Sequence, residues 1–453
     1  MALLFVTHRQ RALPAGSILA IPPPIRLQPA NRLVGRMLPV TASLPVAIQG
    51  DAAGTLPLAA KLAGTPPVFL HTGWRTRGTW IWSRFRALPR TACFYEPLNE
   101  DLATLDRAGI ELRTSTTWLS GHPLLPSPYF TEFLPLLNGP AKGVRRHVRD
   151  FATAGFFAEA DAALPSLRDY LAMLLGAAQA GGVQPVLKFC RSLGRVGWMQ
   201  QTFPHAIHVA VLRNPLGQFI SAHRQFQSWG NAYFLAMPLL LLTLHRDVPD
   251  VAAAIRRLGV ALPVLPRSVT TESGSAACTA YLRCLAPDEQ YRAFLAFWLA
   301  TAARIPDTVD LLIDSDLLAS VGDYRSQCAV DLATLTGRAL DLNDTDAGVA
   351  RDTSRLPATG LSPAAVQRAH RAGEAFLQER AGSARMDSPV LSRIGAMLSY
   401  ATLLCASPLH AVGMQPPRRW DDACPEAVTL AAVYASHSWR LTAPLRWLST
   451  RLR

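Results

Sequence analysis

The chain has 453 residues, of which 49% are hydrophobic and 17% are charged, and its formal net charge is +13. This is enough apolar material for a large core and enough length for two or three domains. The positive charge suits an anionic cofactor, anionic glycans or membrane headgroups, whereas the lack of a long Lys/Arg block disfavours nucleic acid as a partner. The seven cysteines form no CxxC pair and no zinc-ligand pattern, so we expect reduced thiols in a cytoplasmic protein.

Residues 1–64 are predicted to form an irregular N-terminal extension. They are rich in Pro, Ala and Leu and show no regular periodicity, and the prolines at 22–24 are incompatible with a helix. The apolar stretch at residues 2–6 is short and has no basic segment before it, so we expect no signal peptide.

Residues 68–80 have the features of a strand that runs into a phosphate-binding turn. Three apolar residues precede a loop with two glycines, two arginines and two threonines, and an apolar helix start follows. Backbone N–H groups at a helix N-terminus, with arginine and hydroxyl side chains beside them, form a site for phosphate. The residues predicted to hold the anion are Arg75, Thr76, Arg77, Gly78 and Thr79.

The spacing Gly73-x4-Gly78 imitates a Walker loop, but Thr79 stands where that loop has its lysine. This substitution disfavours an ATP-hydrolysing enzyme or a kinase and favours a loop that binds a phosphate-like group in another way. The alternative is an arginine-rich turn that is only solvated.

Four further strands are predicted, and three of them place chemically useful residues at or near their carboxyl ends. Residues 91–95 lead to Glu96, residues 184–191 carry Lys188 and Arg191, residues 206–212 lead to Arg213, and residues 309–316 form the last core strand. In an open parallel α/β sheet, ligands bind beyond the carboxyl ends of the strands. We therefore predict a P-loop-like α/β fold, with a mainly parallel sheet flanked by helices and the cations facing one crevice.

The remaining chain is predicted to be largely helical. Residues 232–244 are too short to span a bilayer, which needs about 20 residues, and are interpreted as a buried helix or an acceptor-site lid. Residues 288–305 form an amphipathic helix, residues 324–337 a closing helix, and residues 363–381 belong to a helical C-terminal region over 346–453. Trp298 and Tyr324 are candidates either for purine contact or for core packing.

The combination of these motifs resembles the sulfotransferases that use 3′-phosphoadenosine 5′-phosphosulfate (PAPS). In that family a strand that ends in Arg, with Ser eight residues later, binds the 3′-phosphate, and Arg213 and Ser221 match this pattern. The loop at 75–80 resembles the segment that binds the 5′-phosphosulfate, with Thr79 and Trp80 as its closing pair, although Arg77 replaces a small residue. The resemblance covers residues 65–345 and implies PAPS as cofactor and 3′-phosphoadenosine 5′-phosphate as product.

The resemblance also implies a catalytic pair. Residues 95–98, Tyr-Glu-Pro-Leu, resemble a run in carbohydrate sulfotransferases in which the glutamate is the base, so Glu96 would accept the proton of the acceptor hydroxyl. Lys188 would stabilise charge on the leaving oxygen, and no metal is needed. Cys190 occupies the position of the catalytic histidine of cytosolic sulfotransferases. Glu96 could instead be an ordinary ion-paired carboxylate, in which case the histidines at 71 and 223 are the other candidate bases.

The segment Ser438–Arg446 resembles a tail found in bacterial surface-polysaccharide glycosyltransferases. It implies a hydroxyl-bearing acceptor on a glycan or glycolipid, and its Trp and Arg residues are compatible with peripheral contact at the inner face of the membrane. Three other interpretations remain open: a P-loop small-molecule kinase, a non-catalytic interaction protein with a sulfotransferase fold, and a membrane-surface scaffold.

Overall fold

The computed structural model describes residues 65–114, 125–139, 142–266, 268–343, 359–384 and 388–406. The predicted N-terminal extension at 1–64 and the tail at 438–446 lie outside these residues.

A five-stranded parallel sheet forms the centre of the fold. Its strand order is β2-β3-β1-β4-β5, and every neighbouring pair is parallel. The strands are β1 (Val68–Thr72), β2 (Thr91–Tyr95), β3 (Gln184–Phe189), β4 (Ile207–Leu212) and β5 (Leu311–Asp314). The predicted α/β fold with a parallel sheet is therefore confirmed.

The strands are short apolar runs because both faces of the sheet are covered. On β4, Val209 and Val211 belong to one apolar cluster, whereas Ala210 and Leu212 belong to another. Successive side chains of a strand point to opposite faces, so each cluster fills one side of the sheet. Since all strands run in the same direction, their carboxyl ends meet at one edge of the sheet.

Helices cover both faces. In chain order they are α1 (Gly78–Arg86), α2 (Arg107–Glu111), α3 (Pro165–Ala180), α4 (Val196–Thr202), α5 (Pro215–Trp229), α6 (Tyr233–Leu244), α7 (Pro249–Leu258), α8 (Thr271–Leu282), α9 (Pro287–Ala302), α10 (Ser315–Ser320), α11 (Gly322–Thr336), α12 (Pro363–Ala384) and α13 (Pro389–Ala406). Short 3-10 segments lie at Glu100–Ala103, Thr131–Leu136, Arg149–Ala152 and Leu193–Arg195. Helices α3, α5, α7 and α9 begin with proline, whose fixed φ suits the first turn.

The helical region after residue 359 packs against the helices that precede it. Val366 and Phe376 of α12 and Ile394 of α13 share one apolar cluster with α5 to α9. Helix α6 is buried from Phe234 to Thr243, so it is a core helix rather than an exposed lid. Among the helices of the described ranges, none combines the length and the apolar character that crossing a bilayer requires.

Candidate functional site

The loop between β1 and α1 has an unusual backbone conformation. Arg75 and Arg77 have φ values of 66° and 64°, in the left-handed region, whereas Thr76 between them does not. Alternation of this kind turns successive N–H groups towards one side, which is the geometry of an anion-binding nest. The side chain of the N-cap residue, Arg77, makes no capping hydrogen bond to α1, so the first N–H groups of this helix add to the same positive end.

Gly78 is required by packing at the first turn of α1. A Cβ atom at this position would lie 2.4 Å from Cγ2 of Thr72, at the end of β1. The helix can approach the strand this closely only because residue 78 has no side chain. At the start of the loop, the hydroxyl of Thr76 donates to the carbonyl oxygen of Gly73 at 2.9 Å and closes the turn.

The two motifs predicted to bind phosphate groups are in direct contact. Nε of Arg75 donates to Oγ of Ser221 at 3.0 Å, and Nη1 of Arg213 donates to the backbone carbonyl of Arg75 at 3.1 Å. Arg213 follows β4 directly, and Asn214 caps α5 by accepting the N–H of Gly217 at 2.7 Å. Ser221 therefore faces the β1–α1 loop from the second turn of α5.

Asp316, which the sequence analysis did not identify as a site residue, joins these arginines. Its Oδ1 lies 3.4 Å from Nε of Arg213 and 3.5 Å from Nη1 of Arg77. Its Oδ2 accepts from the backbone N–H and the side-chain Nδ2 of Asn214 at 2.9 and 2.6 Å. The available sequence signal was its position at the end of the predicted last core strand, at the same edge of the sheet as the other predicted site residues.

A second polar group lies at the ends of β2 and β3. Glu96 is buried and has a left-handed φ of 47°. One of its oxygens pairs with Nζ of Lys188, and the other accepts from Nη1 of Arg191 at 3.0 Å and from the N–H of Cys190 at 2.9 Å. Lys188 also lies 3.0 Å from Sγ of Cys190 and 4.8 Å from the centre of the Tyr95 ring.

The charges in this group stabilise one another. Burial alone would raise the pKa of Glu96, but Lys188 and Arg191 outweigh it, and the pKa of this carboxyl is lowered. Burial alone would lower the pKa of Lys188, but the neighbouring groups at 190, 96 and 95 raise it. Burial raises the pKa of the Cys190 thiol to about 11, so this residue stays protonated at neutral pH and does not replace a catalytic histidine.

At Arg75 and Arg213, the arginines of the two phosphate-binding motifs, burial outweighs the favourable charges nearby. Burial lowers the pKa of Arg75 and that of Arg213 to about 10, and Asp316 only partly offsets the effect at Arg213. An anion beside them would favour their charged forms. The electrostatics of the loop therefore suit a negatively charged ligand.

Two other predicted site residues, Thr79 and Trp80, lie in the first turn of α1. The hydroxyl of Thr79 is 3.4 Å from the hydroxyl of Tyr95, which places Thr79 beside the Lys188 group. Trp80 is half-buried, and the guanidinium of Arg84 stacks 4.8 Å from its ring centre. Thr79 thus connects the loop to the second polar group.

The remaining candidates lie in the core. Trp298 is buried and its Nε1 donates to the backbone carbonyl of Arg213 at 3.0 Å, while the hydroxyl of buried Tyr324 accepts the N–H of Asp314 at 2.9 Å. Both residues therefore support the edge of the sheet by packing. His71 is a buried residue of β1, and its two ring nitrogens are hydrogen-bonded to Ser192 and His208, so it is not placed to face an acceptor.

Comparison of the chain with protein-family models, with curated proteins and with solved structures found no match. The function proposed for this site therefore depends on its residues and their geometry.

Proposed function

We propose that the protein is a sulfotransferase that moves a sulfuryl group from PAPS to a hydroxyl of an acceptor. The observation that carries this proposal is the contact of Arg75 with Ser221, which joins the phosphate-binding loop to the strand-Arg-x7-Ser motif. Two anion-binding motifs in contact at the edge of a parallel sheet fit a ligand with two separate phosphate-like groups.

The chain offers distinct groups for the two ends of such a ligand. Arg75, Thr76 and the N-terminus of α1 would hold the 5′-phosphosulfate, with the nest of backbone N–H groups directed at its oxygens. Arg213 and Ser221 would hold the 3′-phosphate. The lowered pKa values of Arg75 and Arg213 support this assignment, because a bound phosphate would favour their charged forms.

Glu96 would act on the acceptor, and Lys188 would stabilise charge on the leaving oxygen of the cofactor. The lowered pKa of Glu96 keeps it ionised at neutral pH, which is the state that a proton acceptor needs before transfer. Lys188 is fixed between Glu96 and Cys190 and adjoins the Tyr95–Thr79 contact at the start of α1, so it can direct its charge towards the phosphosulfate end. When bound, PAPS supplies the activated sulfuryl group itself.

A non-catalytic anion-binding protein with the same fold is the second candidate. The observation that favours it is the complete pairing of Glu96, whose two oxygens accept from Lys188, Arg191 and Cys190. The kinase interpretation has less support, because Thr79 occupies the position of the loop lysine.

For the acceptor we propose a glycan or glycolipid hydroxyl, encountered in the cytoplasm at the inner face of the membrane. This part of the proposal is based on the C-terminal segment 438–446 and on the net charge of +13. Nucleic acid is not proposed as a partner.

The decisive test is calorimetric titration of the full chain with 3′-phosphoadenosine 5′-phosphate. We expect binding with a Kd on the order of micromolar, and no comparable binding of ATP with Mg²⁺. Tight nucleotide binding without label transfer from ³⁵S-PAPS to a lipid-linked glycan extract would favour the non-catalytic protein. No binding of 3′-phosphoadenosine 5′-phosphate would refute both PAPS-based interpretations.

A further inference from the structure

We propose that Asp316 is the positioning residue of the phosphate site, an inference that rests on the proposed function. Asp316 lies in the first turn of α10 and is 2% exposed. Its Oδ2 is held by two donors of one residue, the N–H and Nδ2 of Asn214, at 2.9 and 2.6 Å. The carboxylate is therefore a fixed acceptor and not a mobile counter-ion.

The other oxygen of this fixed carboxylate faces two guanidinium groups. Nε of Arg213 lies 3.4 Å from Oδ1, and Nη1 of Arg213 donates to the carbonyl of Arg75 at 3.1 Å. Two acceptors on adjacent nitrogens fix the plane of a guanidinium, which has its donors in a rigid fork. Arg213 is thereby oriented before any ligand arrives, so less conformational entropy is lost on binding.

Asp316 also lies close to Arg77. Its Nη1 donates to the carbonyl oxygen of Ser315 at 2.8 Å and lies 3.5 Å from Oδ1 of Asp316. Arg77, where the resemblance expects a small residue, thus fastens the β1–α1 loop to the turn after β5. We infer that Arg77 acts on the ligand through the position of the loop, whereas Arg75 and Arg213 contact it.

A carboxylate beside two arginines has a second, opposite effect. Its negative charge repels a bound phosphate, and this repulsion alone would make the binding of 3′-phosphoadenosine 5′-phosphate tighter when the charge is removed. If Asp316 instead orients Arg213, removal of the charge should make binding weaker. The direction of the change in Asp316→Asn therefore separates a positioning role from a counter-charge role.

The test is calorimetric titration of full-length variants with 3′-phosphoadenosine 5′-phosphate and with adenosine 5′-phosphate. Asp316→Asn is expected to lower the affinity for 3′-phosphoadenosine 5′-phosphate about tenfold or more. The affinity for adenosine 5′-phosphate should fall less, since this nucleotide lacks the 3′-phosphate. Asp331→Asn is the matched control, because Asp331 is similarly buried, lies on α11 away from the arginines, and accepts a hydrogen bond from the side chain of Gln327. It should change neither affinity by more than about threefold.

A double variant tests whether Asp316 acts on the ligand through Arg213 or only supports the local structure. If Asp316 acts through Arg213, then Arg213→Ala/Asp316→Asn should bind 3′-phosphoadenosine 5′-phosphate about as weakly as Arg213→Ala alone. Should Asp316→Asn fail to fold, Asn214→Ser keeps a helix-capping residue, removes the Nδ2 donor to Asp316, and is expected to weaken the same ligand several-fold.

The positioning role would be overturned if Asp316→Asn binds 3′-phosphoadenosine 5′-phosphate as tightly as the wild type or more tightly. It would also be overturned if the losses of binding free energy in the two single variants add fully in the double variant. In either case, binding by the wild-type protein would leave the proposed function intact. Wild-type protein that does not bind 3′-phosphoadenosine 5′-phosphate would overturn both.

Discussion

Glu96 combines a left-handed backbone with a fully engaged carboxylate. Its φ is 47°, a conformation that non-glycine residues rarely adopt and that is often found at functional sites. Its N–H donates to the backbone carbonyl of Lys188 at 2.9 Å, so the same two residues are joined through both backbone and side chain. In the proposed transfer, the lowered pKa of Glu96 would make it an ionised but weak proton acceptor.

The first prediction concerns the stability that this carboxylate provides. Glu96→Gln leaves Lys188 and Arg191 buried without their shared anion, so we expect the free energy of unfolding to fall by about 3–5 kcal/mol. Glu111→Gln is the control, since Glu111 forms an exposed pair with Arg107 and should contribute less than about 0.5 kcal/mol. Urea denaturation measures both. Equal small effects would show that the Glu96 pairs contribute little to folding.

At the scale of elements, the sheet was the part of the fold most accessible to sequence reasoning. All five strands lie within or close to the predicted segments, and β2 has the predicted bounds of Thr91–Tyr95. Apolar runs with polar residues just beyond them are a local signal, and local signals are what a sequence shows directly. The strand order was not predicted, because the pairing of β1 with β3 and β4 depends on contacts more than 100 residues apart.

The same distinction between local signals and long-range contacts decides which residues of the candidate site could be predicted from the sequence. Arg75, Lys188, Arg213 and Ser221 can be predicted from the sequence because each belongs to a recognisable local pattern. The role of Asp316 depends on β4 and β5 being neighbours, which brings Leu212 opposite Asp314 across the sheet. The pairing of Glu96 with Lys188 likewise follows from the adjacency of β2 and β3, which no local pattern indicated.

The second prediction concerns the junction of β1 and α1. Gly78→Ala would place a methyl group against Thr72 and should lower the free energy of unfolding by about 1–3 kcal/mol. It should also weaken nucleotide binding, because the N-terminus of α1 must shift. Gly176→Ala is the control: its position in α3 is exposed and no neighbouring atom of the described residues lies within 4 Å of a new Cβ, so stability should rise by about 0.5–1 kcal/mol. The reverse ranking would mean that the loop can move without cost.

At the scale of the whole molecule, several buried histidines are neutral in the folded protein. His208 Nε2 faces the carbonyl oxygen of Phe203 at 3.2 Å and must donate to it. In neutral imidazoles this leaves His208 Nδ1 to accept from Nε2 of His71 at 3.0 Å, and Nδ1 of His71 to accept from the hydroxyl of Ser192 at 2.9 Å. Both rings are thus fully hydrogen-bonded in their neutral forms, and burial lowers the pKa of each.

The third prediction is a loss of stability in mild acid. Burial is the first cause of a lowered pKa at six histidines: His71, His147, His208, His223, His245 and His370. A histidine with a lowered pKa stays neutral in the folded protein while the unfolded chain binds protons below about pH 6.5, so stability is complete above that pH and falls below it.

Two carboxyls of the described residues act in the opposite direction. Burial raises the pKa of Glu132, and burial and Asp316 raise the pKa of Asp314 to about 7, so these groups bind protons in the folded protein as the pH falls and add stability there. Each histidine that stays neutral costs about 2 kcal/mol at pH 5, and two carboxyls do not offset six such groups. Urea denaturation at pH 7.5 and pH 5.0 should show lower stability at pH 5.0. His205→Asn, at an exposed position, should leave this difference unchanged, whereas equal stability at both pH values would contradict the account.

The central claim is that Arg213 and Ser221 form a site for a 3′-phosphate, and one comparison of ligands tests it most directly. Calorimetry should show that the wild-type protein binds 3′-phosphoadenosine 5′-phosphate at least about tenfold more tightly than adenosine 5′-phosphate, and that Arg213→Ala removes this preference at a cost of about 1.5–3 kcal/mol. Arg256→Ala, at an exposed position of α7, is the control and should retain the preference. Equal affinity of the wild-type protein for the two nucleotides, or a loss in Arg213→Ala confined to adenosine 5′-phosphate, would contradict the claim.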